Sequence, residues 1–460
     1  MDKKTQLSAS IVAGMASFLA PFMGASINIA LPSIGREFGA SAVTLGWVAT
    51  SYLLAAAVCL VPFGRLADIY GRKRNFLWGT VVYTVFSFLC ALSNSTVVLI
   101  CFRLMQGVGA ALIFGTAVAI LTSVFPPGER GKALGINTAA TYLGLSLGPV
   151  LGGLLTEHLG WRSIFLANVP IGLAIIALVL TSLKSEWAEA RGETFDSQDS
   201  VIYGLALVAL MLGFSRLPQA SGIWLLAVGL AFLAVFISRQ MKTPSPVLDI
   251  SLFLKNRVFA FSNLAALINY SATFAVAFFL SLYLQYIKGL SPESAGLIMI
   301  AQPAVMALFS PAAGRASDRI EPRLVASAGM ALSGLGLLLL AFLHAKTSVE
   351  FIIGSLAVLG FGFALFSSPN TNAVMSSVEK KFLGIGAATL ATMRLVGQMM
   401  SMAIAMMIVA IFIGQVQITP ANQGQFMHSV RIGFAVFSAL CLVGVFASLA
   451  RGNRLADSVK

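Results

Sequence analysis

Charge is what this sequence has least of. Of its 460 residues only 10% are Asp, Glu, Lys or Arg, against about 25% in an ordinary soluble domain, and 58% are hydrophobic. A soluble globular protein is excluded. Acids are the scarcer sign: 17 Asp and Glu stand against 30 Lys and Arg, a net charge of +13. In a soluble chain that excess would point to nucleic acid. Here the bases sit in short segments between apolar runs, where they mark membrane topology, so no nucleic-acid partner is implied. The three histidines, His158, His344 and His428, are far apart near loops, and no metal site is expected. Cys59, Cys90, Cys101 and Cys441 lie inside apolar runs without C-x-x-C spacing and read as small packing residues. There is no G-x-x-x-x-G-K-[ST] phosphate loop, so neither ATP nor any other cofactor is called for. The first apolar run has no small-residue cleavage site, so it reads as a retained span rather than a signal peptide.

What is present in abundance is apolar runs of membrane-crossing length, about 20 residues each. Fourteen are countable, from 9–31 to 428–450, which predicts an all-α integral membrane protein. Lys and Arg concentrate in the loops on one side, which puts both termini in the cytoplasm. The longest polar segments, 184–198 and 239–256, flank two short spans. The chain therefore divides into a six-helix bundle at 1–183, an inserted helix pair with its linkers at 184–256, and a second six-helix bundle at 257–460.

The segment Gly64 to Arg74, GRLADIYGRKR, joins two of these runs. Gly64 and Gly71 are read as the residues that let the chain reverse. Arg65, Arg72, Lys73 and Arg74 mark the cytoplasmic side, and Asp68 is free to pair across helices or meet a helix N-terminus. The same pattern returns at an offset of 250, with Gly314, Arg315 and Asp318 in the places of Gly64, Arg65 and Asp68. Gly107 and Gly109 likewise return as Gly360 and Gly362, and Gly148 as Gly397. Duplication inside a chain of many spans is the mark of a transporter built from two halves.

With these residues in view, the sequence resembles the major facilitator superfamily, and within it the fourteen-span drug:proton antiporter branch. GRLADIYGRKR matches the loop signature G-x-L-a-D-r-x-G-r-k, RLMQGVGAA at Arg103 to Ala111 the fourth-span signature R-x-x-Q-G-x-G-A, and LGLSLGPVLGG at Leu143 to Gly153 the fifth-span antiporter signature G-x-x-x-G-P-x-x-G-G. The resemblance implies two bundles that rock about a central site, with the Asp68 and Asp318 loops as conformational switches. It implies a sealing helix around Gly144, Gly148, Pro149 and Gly152, and a coupling or gating role for Arg103 and Gln106. One position departs: Met23 stands where the branch commonly carries a first-span Asp.

Each motif also has a plainer reading. Gly144, Gly148 and Gly152 recur every four residues and allow a neighbouring backbone close, which static packing would also use; Pro149 bends the helix. Arg103, one turn from Gln106, and Arg394 are the bases placed within spans, where an Arg costs at least about 2.5 kcal/mol by insertion scales and must face protein or water. Arg394 falls near the midplane and is a candidate substrate contact. Asn28, Asn137, Thr141, Tyr142, Asn269, Tyr270, Gln285, Gln302, Asn370 and Gln398 are further candidates for the cavity wall, and equally for hydrogen bonds between helices. The G-x-S-x-G at Gly144 to Gly148 is no hydrolase elbow: Ser146 lies mid-span with neither strand nor His nor acid beside it. No catalytic site, and so no enzyme, is expected.

The sequence thus predicts a multidrug-efflux-type secondary transporter of a prokaryotic inner membrane, exporting small amphipathic compounds by alternating access as a monomer and conferring drug resistance, with protons as the candidate coupling ion. By these spans no acid lies in the middle third of a helix, so the substrate is expected to be neutral or anionic rather than cationic. The rival readings are a uniporter or importer of a small metabolite and a transporter-like receptor or scaffold.

Overall fold

The computed structural model describes residues 3–126, 130–183, 185–188, 197–242, 250–379 and 383–452. Its architecture among these residues is all-helical. The first bundle contains α1 (Lys3–Phe38), α2 (Ala42–Tyr70), α3 (Arg72–Ala91), α4 (Thr96–Val124), α5 (Arg130–Leu159), and the pair α6 (Arg162–Leu166) and α7 (Asn168–Ser182). Next in the chain come α8 (Ser197–Arg216) and α9 (Ala220–Gln240), which pack on each other, and the short α10 (Ile250–Lys255). The second bundle holds α11 (Arg257–Thr273), α12 (Val276–Leu282), α13 (Pro292–Met299), α14 (Ala301–Arg319), α15 (Pro322–Ala341), α16 (Val349–Ser376), α17 (Leu383–Phe412) and α18 (Gln423–Leu449). Thirteen helices are long and apolar enough to cross a membrane among the described residues. The sequence count of fourteen also includes 76–94, which falls on α3. That helix opens on Arg72, Lys73, Arg74 and Asn75, so its apolar stretch is short.

Serines start four of the helices at one face of the molecule. Ser41, Ser95, Ser291 and Ser348 each accept a hydrogen bond from the backbone N–H three residues on, satisfying a donor that has no partner inside the helix. Ser41 and Ser291 are 250 residues apart, the offset of the repeated motif.

Packing repeats with nearly the same offset, 250 for Tyr52 and Gln302 and 253 for Gly107 and Gly360. A Cβ on Gly107 would stand 2.3 Å from the carbonyl oxygen of Tyr52, and one on Gly360 would stand 2.3 Å from that of Gln302. Gly79 and Gly109 let α3 and α4 touch backbone to backbone, as Gly329 and Gly362 do for α15 and α16. Lipid offers apolar side chains as good a solvent as other helices do, so close backbone approach and interhelical hydrogen bonds hold such bundles together.

The opening motif folds differently from its sequence reading. Gly64 is helical, inside α2, and its missing side chain admits α4: a Cβ on Gly115 would lie 3.4 Å from the Gly64 Cα. Gly71 alone makes the reversal, at φ +117°, a value L-residues with side chains rarely adopt. Asp68 therefore sits on the last turn of α2 rather than in a loop. In the second copy Gly314 and Arg315 lie within α14, and the turn comes at Ile320 and Glu321; the Asp318 side chain lies outside the described residues.

Helix α8 packs across the seam between α2 and α17. Tyr203, Leu207 and Met211 of α8 share one buried cluster with Leu53, Leu54 and Ala57 of α2 and Met399, Ala403 and Met406 of α17. The Tyr203 hydroxyl donates to the Ala57 carbonyl at 3.3 Å. Asp199, fully buried, accepts from Arg239 Nε and Gln240 Nε2, tying the two ends of the hairpin together.

Candidate functional site

The two bundles meet at the face where α1 ends and α2 begins, here called the closed face. Ser281 Oγ donates to the Asn28 carbonyl, Gln285 Nε2 to that of Ile29 at 2.9 Å, and the Tyr286 hydroxyl to that of Pro32 at 3.2 Å. His158 of α5 meets Glu293 of α13 at 3.2 Å. A buried apolar cluster continues from Ile34, Leu45 and Val48 of the first bundle into Phe278, Leu282 and Met402 of the second.

Helix α5 separates two jobs onto two faces. Gly144, Gly148 and Gly152 all turn toward α1, where their Cβ positions would lie 2.5 Å from the Phe18 carbonyl oxygen, 2.5 Å from the Ala25 Cβ and 2.8 Å from the Ser26 Cα. These three serve packing inside one bundle. The joint to the other bundle is made by Pro149 and Gly153: a Cβ on Gly296 would lie 2.2 Å from the Pro149 carbonyl oxygen, and one on Gly153 would lie 2.6 Å from that of Pro292. Toward the opposite face of the molecule α5 exposes Gly135, Ile136, Thr138 and Ala139, and the first turns of α17 expose Ile385 and Ala388. This end of the molecule is here called the open face.

At this open face Asp68 accepts from both Arg72 Nε at 2.9 Å and Nη2 at 2.8 Å, and Arg72 Nη1 donates to Ser123 Oγ of α4 at 2.8 Å. The i, i+4 spacing of Asp68 and Arg72 puts them on neighbouring turns although Gly71 breaks the helix between them. A residue that motif spacing does not reveal completes the arrangement. Glu186 accepts from the backbone N–H groups of Lys73 at 2.8 Å and Arg74 at 3.1 Å, while the Trp187 carbonyl accepts from Arg72 N at 2.8 Å. The linker after α7 thus caps the N-terminus of α3, whose own preceding residue is a glycine without a side chain. Replacing Glu186 with Ala removes a cap of about 1 kcal/mol. Faster hydrogen exchange at Lys73 and Arg74 is the expected result, and unchanged exchange would show that the cap contributes nothing.

Arg103 is buried in the first bundle, 1% exposed. It donates to the Val48 carbonyl at 3.2 Å and to Gln106 Oε1 at 2.7 Å, Gln106 passes the chain on to Ser87 Oγ at 2.7 Å, and the guanidinium lies 4.6 Å from the centre of the Tyr52 ring. Met23, also buried, receives a hydrogen bond on sulfur from Asn168 at 3.3 Å.

In the second bundle Arg394 is half-buried. Its Nη2 donates to Thr371 Oγ1 of α16 at 2.6 Å, and its Cζ lies 5.7 Å from the centre of the Tyr270 ring. Tyr142, Gln302 and Gln398 are half-buried as well. Thr141 is half-buried too, while Asn28, Asn137 and Asn370 are drawn into the packing. Asn137 accepts from Ser17 at 2.8 Å, Thr141 donates to the Asn137 carbonyl at 3.2 Å, Asn28 to that of Gly24 at 2.9 Å, and Asn370 to that of Ser262 at 3.2 Å. Gln285 belongs to the closed-face joint. Asn269 is fully buried, and neither of its side-chain polar atoms has a partner.

Two membrane-length helical bundles with repeated internal packing, joined at one face and with α5 and α17 exposed at the other, have the architecture of a membrane transporter. The chain belongs to the Major Facilitator Superfamily, whose profile matches residues 13–262 and 262–458. Its relatives include the riboflavin transporter RibZ of Clostridioides difficile, 33% identical over 82% of each chain. The multidrug resistance protein Stp of Mycobacterium tuberculosis is 32% identical over 87% of this chain and 75% of its own. The cephamycin export protein CmcT of Amycolatopsis lactamdurans is 32% identical over 98% of this chain and 94% of its own. In fold the chain is similar to a bacterial homologue of the lysosomal transporter Spinster in an inward-facing, unoccupied conformation, with TM-score 0.70 and 16% identity over 98% of each chain.

Proposed function

We propose that this transporter exports small amphipathic compounds across a prokaryotic inner membrane by alternating access, and that it is a monomeric, fourteen-span member of the drug:proton antiporter branch with α3 as the fourteenth crossing. In this reading the open face is cytoplasmic, both termini lie there, and the structure is the inward-facing state. The observation that carries it is the division of α5: its Pro149–Gly153 face meets Gly296 at the closed face while Gly135 to Ala139 stand exposed. A joint of that kind can part at one face as it forms at the other. The relatives named for multidrug resistance and cephamycin export support the outward direction. The relative named as a riboflavin transporter supports a second reading, a carrier of one metabolite.

Substrates are neutral or anionic rather than cationic. The half-buried polar candidates are Thr141, Tyr142, Tyr270, Gln302, Arg394 and Gln398, none of them an acid, and Met23 supplies no first-span acid. Protons remain the candidate coupling ion, with Asp68 the acid best placed to take part at the open face.

Uptake into energised everted vesicles, with and without a pH gradient, tests this reading. Wild-type protein should move neutral and acidic amphiphiles, and Asp68→Asn should slow transport roughly tenfold while leaving the amount of folded protein unchanged, because this part-exposed carboxylate can gain a partner across the bundles when the open face closes and so bias the equilibrium between states. Asp318→Asn should do less. Equal and near-normal rates in both variants would reduce the two motifs to topology signals, and an absence of movement with every compound would reject export.

A further inference from the structure

Arg394 keeps a guanidinium in the middle of a membrane helix with little to hold it. Its Nη2 reaches Thr371 Oγ1 at 2.6 Å, while its Nε is buried with no hydrogen-bond partner. No carboxylate among the described residues answers it: the acids in ion pairs meet Arg72, His158, Arg162, Arg239 and Arg323 instead. An intramembrane arginine is expensive unless it faces a partner or water, and half-buried Arg394 has no acid beside it among the described residues.

Its surroundings have a particular chemistry. The Tyr270 ring of α11 lies beside the guanidinium, and Phe363 of α16 stands edge-on to Tyr270 at 5.4 Å. Phe363 and Thr371 are two turns apart and so share one side of α16. Both rings and the arginine are half-buried. A cation would be repelled here. A neutral molecule would use the rings and leave most of the guanidinium donors unmet.

We propose that Arg394, Thr371, Tyr270 and Phe363 form a subsite for an aromatic acid, with its ring against Tyr270 and Phe363 and its carboxylate or phenolate on the fork of Arg394. The planar fork matches a carboxylate in two parallel hydrogen bonds, and ring pairs of this kind favour edge-to-face or offset contacts. Thr371 holds the fork in place and is a positioning residue. The subsite narrows the export reading to one substrate class and rests on it only in placing these residues on the transport path.

The test is binding to purified full-length protein in detergent of three probes that share a ring system: 2-naphthoate, 2-naphthamide and 2-naphthylmethylammonium. Wild-type protein should bind the acid tighter than the amide by roughly ten- to hundredfold, the range that hydrogen bonds to a charged group supply, and should bind the ammonium weakest. Arg394→Ala should abolish the preference for the acid while the amide still binds, which also reports that the protein is folded. Arg394→Lys should restore part of the preference. If Arg394→Ala fails to fold, Thr371→Val should still narrow the gap between acid and amide. An acid bound no better than its amide, a preference that survives Arg394→Ala, or an ammonium bound tightest would each overturn the subsite. If 2-naphthoate binds through Arg394 and yet is not moved by vesicles, the subsite stands and the export reading falls.

Discussion

Replacing Gly296 with Ala is expected to abolish transport without unfolding the protein. The new methyl would sit 2.2 Å from the Pro149 carbonyl oxygen and 3.0 Å from its carbon, far inside van der Waals contact. Both neighbours are backbone, so nothing flexible can turn aside. Overpacking of this kind typically costs about 1–3 kcal/mol. Here the strain exists only while α5 and α13 touch, so it falls on the state closed at this face and spares the other. A shift of that size moves a two-state population by about one to two orders of magnitude. Gly148→Ala is the matched control. Its methyl would press on Ala25 and the Phe22 carbonyl of α1, inside one bundle, and should lower melting temperature in every state. Distances between spin labels placed across the closed face should lengthen in Gly296→Ala and stay unchanged in Gly148→Ala. Unchanged distances and normal transport in Gly296→Ala would mean that α5 and α13 do not part during the cycle.

The second large effect is expected at Arg103. Truncation to Ala empties the space over the Tyr52 ring and strips partners from Gln106 Oε1 and the Val48 carbonyl. Cavity formation and unmet polar groups together should cost about 2–5 kcal/mol, read as a marked fall in melting temperature and in the yield of folded protein. Arg103→Met keeps much of the volume and should recover part of that loss. The burial of Arg103 and its bonds to neighbours within one bundle make stability the first property to suffer. A variant that melts normally but transports nothing would instead give this arginine a direct part in the cycle, as the motif resemblance implies.

Whether a polar residue packs or lines a cleft depends on which helix it faces. Asn28, Asn137 and Gln285 read alike with Tyr142 and Gln398 in one dimension, because all are polar positions in apolar runs. Asn137 turns to Ser17, 120 residues away, and Gln285 to the backbone of Ile29, 256 away. No local pattern encodes such partners. Thr371 escaped notice for the same reason. It is an ordinary hydroxyl in α16 until α17 brings Arg394 against it.

By itself the sequence determined that this chain lives in a membrane, that it is helical, that it is doubled, and that acids are missing from the middle of its spans. These follow from composition and from periods of a few residues, which act through solvent preference and local geometry and need no partner. The repeat was legible for the same reason, since Gly107 and Gly360 each must admit a backbone, and a residue without a side chain is visible in one dimension. Tertiary structure decided what each feature does. It set Gly64 inside a helix and left the reversal to Gly71 alone. It turned Gly144, Gly148 and Gly152 toward α1 and gave the joint between bundles to Pro149, Gly153 and Gly296. It also brought Glu186 to the start of α3. Each of these depends on how helices far apart in the chain are rotated against one another, and that rotation is fixed by the sum of many weak contacts rather than by any single run of residues.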